Sequence, residues 1–159
     1  MIATRSLCHP ALIARLRRPL CSQPTRFTAA TIERLDIRIP EVPQSPAFPR
    51  AVRAAGQVWV SGTGAGNDIG GTDTARHGTA TQETRWALEN LALLLEEAGS
   101  SMDRVVSVTM LLTDKGDYDE CNREYVKHWP APGGLPSRST ALWGVPTDAK
   151  VAFSCVAVD

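Results

Sequence analysis

Arg138, in the run Pro136-Ser137-Arg138-Ser139-Thr140-Ala141-Leu142, is the residue best suited to chemistry in this sequence. The surrounding residue types place it just inside a strand. A guanidinium held there presents a rigid planar fork of donors that matches a carboxylate at two points. Arg138 is therefore the candidate anchor for a small acid, set against the common alternative of a solvated surface arginine. Asn122 is the next candidate, an amide on the helical face formed by Tyr118, Cys121, Tyr125 and Trp129. A buried amide must find partners, and a cap or loop contact explains it as well as a ligand does. Ser61 and Gly62 open a glycine-rich stretch, 61–71, whose backbone amides could serve a small anion. That stretch has no GxxxxGK followed by Ser or Thr, and its glycine spacing is not GxGxxG, so nucleotide binding is not expected.

Metal chemistry has no basis here. His9, His77 and His128 are scattered, and the four cysteines form no CxxC. Cys121 and Cys155 read as buried reduced thiols. No cofactor is implied.

The elements that position these residues follow from periodicity. Thr31–Ile39 alternates imperfectly and suggests an edge strand, after which Pro40, Pro43, Pro46 and Pro49 impose an extended connector. Two short strands meet at Ala55-Gly56-Gln57, the second being Val58–Ser61, and a mobile loop is expected to follow. Residues 78–98 form the long helix, with a stripe of Ala80, Ala87, Leu91, Leu94, Leu95 and Ala98 and a capping Gly99. Val105–Thr113 is a buried strand. Asp117 with Glu120 predicts a capping box for a second helix. Strands Arg138–Trp143 and Lys150–Val158 close the chain.

This order gives an α+β fold, a mixed sheet with two helices on one face, in one domain spanning 31–159. The other face is left bare, and burying it against further copies predicts a homo-oligomer.

The first thirty residues stand apart. They hold five arginines and no acid, with Leu12, Ile13, Leu16 and Leu20 on one helical side, the pattern of a mitochondrial targeting segment and hence of a matrix protein, set against the alternative of a disordered basic tail. No apolar run is long enough to span a bilayer, so no membrane partner is expected. Beyond residue 30 there are twelve basic and seventeen acidic residues, a balance that gives nucleic acid no electrostatic attraction.

Across residues 45–158 the chain resembles the RidA/YjgF family of reactive intermediate deaminases. The matching pieces are Phe48-Pro49-Arg50-Ala51-Val52, Val58-Trp59-Val60-Ser61-Gly62, Gln82 through Asn90 to Ala98-Gly99, Asp117-Tyr118 with Asn122 and Tyr125, Pro136-Ser137-Arg138-Ser139, Val145-Pro146 and the last strand. The resemblance implies a chorismate-mutase-like homotrimer with clefts between subunits. It also implies hydrolysis of enamines or imines, such as 2-aminoacrylate, to keto acids and ammonia. Arg138 matches the family's carboxylate-holding arginine, Ser61 and Gly62 its cleft-lining backbone, and Asn122 an asparagine nearby. Phe48 stands where many members have tyrosine, and Thr140 where a cysteine is frequent. The family glutamate that handles the attacking water corresponds to Ala152, and an acid two residues on corresponds to Ser154. The expectation is a deaminase with weakened turnover. The alternatives are a non-catalytic binder of small carboxylates, or a scaffold recruited to a different reaction. The family's older ribonuclease label finds no histidine pair for phosphodiester cleavage.

Overall fold

The computed structural model describes residues 30–39, 47–66, 76–129, 134–144 and 148–159. The expected targeting segment, most of the expected proline connector and the loop expected over 67–75 lie outside them. Six strands form one mixed sheet in the order β1-β2-β3-β6-β4-β5: β1 Glu33–Leu35, β2 Ala51–Ala54, β3 Gln57–Gly64, β4 Val105–Leu112, β5 Ser137–Leu142 and β6 Val151–Val158. All neighbours are antiparallel except β4 and β5, which run parallel. Helices α1 (Ala80–Glu97) and α2 (Tyr118–Tyr125) pack together, and α1 covers β3 and β6.

Local sequence explains each element. The β2–β3 hairpin turns on Ala55 and Gly56, both at positive φ (52° and 75°), as a two-residue turn matching the twist of its strands requires. Thr79 caps α1 in a box with Gln82, a start signal additional to the expected periodicity. At the other end Gly99 (φ 80°) donates to Glu96 and Ser100 donates to Leu95, closing the helix through a left-handed residue. The apolar stripe of α1, Leu88, Leu91, Leu94 and Leu95, buries against Val58, Val60, Met110 and Phe153.

Three expectations need correction. The edge strand is short: only Glu33–Leu35 pairs as a strand, and Ile39 makes an isolated bridge. Strand β3 does not stop at Ser61 but runs through Gly62 to Gly64, so the start of the glycine-rich stretch is sheet, not loop. The Asp117 cap does not form. Asp114 starts a 3-10 turn over Lys115–Asp117 that runs straight into α2, leaving Asp117 already helical, while Glu120 turns to accept a bond from the Thr81 hydroxyl at 3.4 Å.

The sheet face opposite the helices is bare as expected. Trp59, half exposed at 51%, lies beside Val156 in register, which in turn pairs with Ser107 next to the exposed Val106. No helix among the described residues is long and apolar enough to cross a membrane.

Candidate functional site

Arg138 lies on edge strand β5 in register with buried Val108, which directs its side chain to the helical side of the sheet. There the guanidinium stacks over the Tyr125 ring, 4.6 Å from its centroid. Its Nη2 donates to Asn122 Oδ1 at 2.8 Å and lies 3.4 Å from the Tyr118 hydroxyl. Among the described residues the Asn122 side chain makes neither a cap nor a loop contact; it holds the arginine. Among the described residues no carboxylate pairs with Arg138, and no hydrogen bond engages its Nε or Nη1. The Tyr125 phenol is pushed up to about 12, chiefly by burial and against the pull of the arginine's charge. It stays protonated and leaves the positive charge uncompensated.

This arrangement follows from α2. Tyr118, Asn122 and Tyr125 recur at i, i+4 and i+7, one stripe of the helix, and that stripe faces β5. Helix α2 is itself pinned by Glu124, a buried carboxylate bonded by Arg85 of α1 (2.8 Å), Lys127 (2.7 Å) and His128 (3.4 Å). The Arg85 bond is the main cause that holds the Glu124 carboxyl down at about 2. Beside the arginine, Tyr118, Thr140, Leu112, Lys115, Ala141 and Leu142 line a groove of about 260 Å³.

The other candidates lie elsewhere. Val60 pairs with Cys155 and Thr63 with Phe153, so β3 spends one extra residue at Ser61-Gly62, a bulge opposite Ser154. The Ser61 amide is not bare. It donates to Arg50 O at 2.9 Å, and the Ser61 hydroxyl donates to Pro49 O at 2.8 Å, tying the partly exposed Phe48 and its proline to the bulge. A side chain at Gly62 would meet nothing within 4 Å, so the backbone there is open to an approaching group. Ala152 and Ser154 alternate with the core residues Phe153 and Cys155 and so share the bare face with the bulge. Ala152 is 2% exposed and carries no polar group.

The candidates thus fall into two clusters. Arg138, Asn122 and Thr140 sit at the β5 edge on the helical side, and Ser61, Gly62, Phe48 and Ala152 sit around β3 and β6. Strands β6 and β4 lie between β3 and β5, a separation of about 14 Å at the usual strand spacing. One chain cannot close both clusters around one small molecule.

Cysteine chemistry is unsupported: burial pushes the Cys155 thiol up to about 12 and raises Cys121 too. Among the described residues no group of three His, Cys, Asp or Glu side chains could hold a metal. The residue pattern alone gives Tyr118 and Tyr125 a helical face but no contact with Arg138, and gives Lys115 no role. The i, i+4, i+7 spacing of the two tyrosines with Asn122 was the signal available for a shared face.

A sheet with two helices on one face and an uncompensated arginine at its parallel edge defines the class. The family model described as Endoribonuclease L-PSP matches residues 41–158. A mitochondrial protein of Schizosaccharomyces pombe, mmf2, is 33% identical over 116 residues, covering 70% of this chain and 87% of its own length. The 2-iminobutanoate/2-iminopropanoate deaminase of Rattus norvegicus is 30% identical over 113 residues, covering 70% of this chain and 80% of that protein. The crystal structure of yeast Mmf1 superposes with a TM-score of 0.70 at 22% identity, covering 81% of this chain and 99% of the other, a likeness of fold. The chain belongs to the RidA/YjgF family.

Proposed function

We propose that this protein hydrolyses small enamine or imine acids, such as 2-aminoacrylate, to keto acids and ammonia, with turnover weakened by the missing acid at Ala152. The observation that carries this reading is the Arg138 guanidinium, stacked, held by Asn122 and unpaired with any carboxylate among the described residues, beside an open groove. Such a fork binds the substrate carboxylate and fixes the neighbouring C=N carbon in place. The enamine takes a proton at carbon to become the imine. Water then adds to the imine carbon, and the resulting carbinolamine expels ammonia and leaves the keto acid. A carboxylate that holds the water contributes about two to four orders of magnitude. Alanine supplies none, so substrate orientation and the reactivity of the imine carry the rate.

Because the two clusters cannot meet within one chain, the cleft is completed by a second copy, and the bare Trp59 face is where copies assemble, as a trimer. The arginine-rich first thirty residues, together with the mitochondrial name of the mmf2 relative, support import into the mitochondrial matrix. A shortened amino terminus on protein recovered from mitochondria tests it.

The deaminase reading is tested by ammonia and keto-acid release from freshly generated 2-aminoacrylate. The wild-type protein should exceed spontaneous hydrolysis and Arg138→Ala should not. Equal rates for the two proteins overturn it. A second reading, a non-catalytic binder of small carboxylates, is favoured by the buried, unreactive Ala152. It predicts 2-oxobutyrate binding that depends on Arg138, with no turnover.

A further inference from the structure

The groove beside Arg138 is lined at one end by Tyr118 and Thr140, and it continues over Leu112, Ala141 and Leu142 with Lys115 also on its wall. Thr140 and Leu142 follow Arg138 at two-residue steps on the same side of β5, so the groove runs along the strand away from the guanidinium, about 7 Å per step. Leu112 and Leu142 end β4 and β5 side by side, and Lys115 opens the turn three residues after Leu112, so the lysine stands toward the end of the groove away from Arg138. The acids nearest Lys115 in sequence do not neutralise it. Asp114 Oδ1 folds back to accept from the Gly116 amide at 2.8 Å, and Asp117 Oδ2 faces Lys150 Nζ at 3.8 Å. No carboxylate lies within ion-pair distance of Lys115 among the described residues.

Two cations with an apolar stretch between them suit a molecule that is anionic at both ends. We infer that the groove is a subsite for a distal anionic group, and that the preferred substrates are imines of 2-oxo dicarboxylic acids, not of short monocarboxylic ones. The inference rests on the reading of Arg138 as the anchor for the carboxylate next to the reacting carbon. Lys115 then pairs with the second carboxylate, and Leu112, Ala141 and Leu142 cover the methylenes between. A volume of about 260 Å³ limits the occupant to a small acid. Lys115 touches no reacting atom in this arrangement. It determines specificity.

The stable products serve as probes. Calorimetric titration of the full-length protein should show 2-oxoglutarate binding at least tenfold more tightly than 2-oxobutyrate. Lys115→Ala should remove that advantage while leaving 2-oxobutyrate affinity within twofold, and Lys115→Glu should reverse it. Lys115 is exposed in a surface turn, so circular dichroism should show the fold of both variants unchanged. Equal affinities in the wild-type protein, or an advantage that survives Lys115→Ala, overturn the distal subsite. If 2-oxobutyrate binds and Arg138→Ala abolishes it, the anchor stands whatever Lys115 does. A wild-type protein that binds neither acid overturns both.

Discussion

The helical-side edge of the sheet and its bare face have been treated differently by this sequence. At the edge, the groups proposed to anchor a carboxylate are in place within one chain: Arg138 lies on Tyr125, is bonded by Asn122, and sits under a helix that a buried carboxylate locks to its neighbour. On the bare face the bulge at Ser61-Gly62 is built, but the positions opposite and beside it are Ser154 and Ala152. Neither can take a proton from water as a carboxylate does. In the proposed reading, binding and water activation lie on different strands, so one can be kept while the other is reduced.

The comparison can be broken most severely at the surface that would join the two clusters. Trp59→Asp puts a charge in the middle of the exposed apolar strip, and should convert the assembly to monomers on size-exclusion chromatography with light scattering. Keto-acid affinity should fall by more than a hundredfold, although the Arg138 cluster is untouched; unchanged affinity in a monomer would show that one chain suffices. Ala152→Glu sharpens the contrast by returning a carboxylate to the bare face. Ammonia release should rise by about tenfold to a hundredfold, reaching at most the lower end of what general-base assistance supplies. The position is buried, so thermal unfolding must first show that the variant folds.

Smaller effects probe the edge cluster. Asn122→Ala releases one guanidinium nitrogen and should weaken 2-oxobutyrate binding by about tenfold, the worth of one charge-assisted hydrogen bond. Its unfolding midpoint should change little. Glu124→Gln loosens α2 and should cost about 2 kcal/mol of stability in denaturant titration. In the wild-type protein this carboxyl lies well below its ordinary value of 4.5, at about 2 when folded. Its contribution is therefore complete above about pH 4.5 and is lost as pH falls toward 2, so the gap between wild type and variant should narrow over that window.

Much of this was legible from residue order. The stripe and terminal glycine of α1 fixed its length, and branched residues marked β4 and β6. The errors have local causes. Glycines at 62 and 64 read as loop because glycine is rare in strands, yet here one supplies the extra residue of a bulge and the other extends the pairing to Ala152. The Asp117-Glu120 pair fits a capping box, but Asp114 begins the turn three residues earlier. Arg138 could be placed on a strand from its neighbours. Its stacking on Tyr125 and its bond to Asn122 could not, because they depend on α2 crossing the sheet edge at a spacing no local pattern encodes. No local pattern marks Glu124, whose role depends on α1 bringing Arg85 to it.

The central claim is that the β5 edge of one copy and the β3 bulge of another hold the same small acid. A crystal structure of the assembled protein with 2-oxobutyrate tests it most directly. The account predicts the ligand's carboxylate on Nε and Nη1 of Arg138, with the Ser61-Gly62 backbone of a neighbouring copy against the rest of the molecule. A carboxylate bound away from Arg138, or a ligand seated on one chain with no second copy in contact, would contradict it.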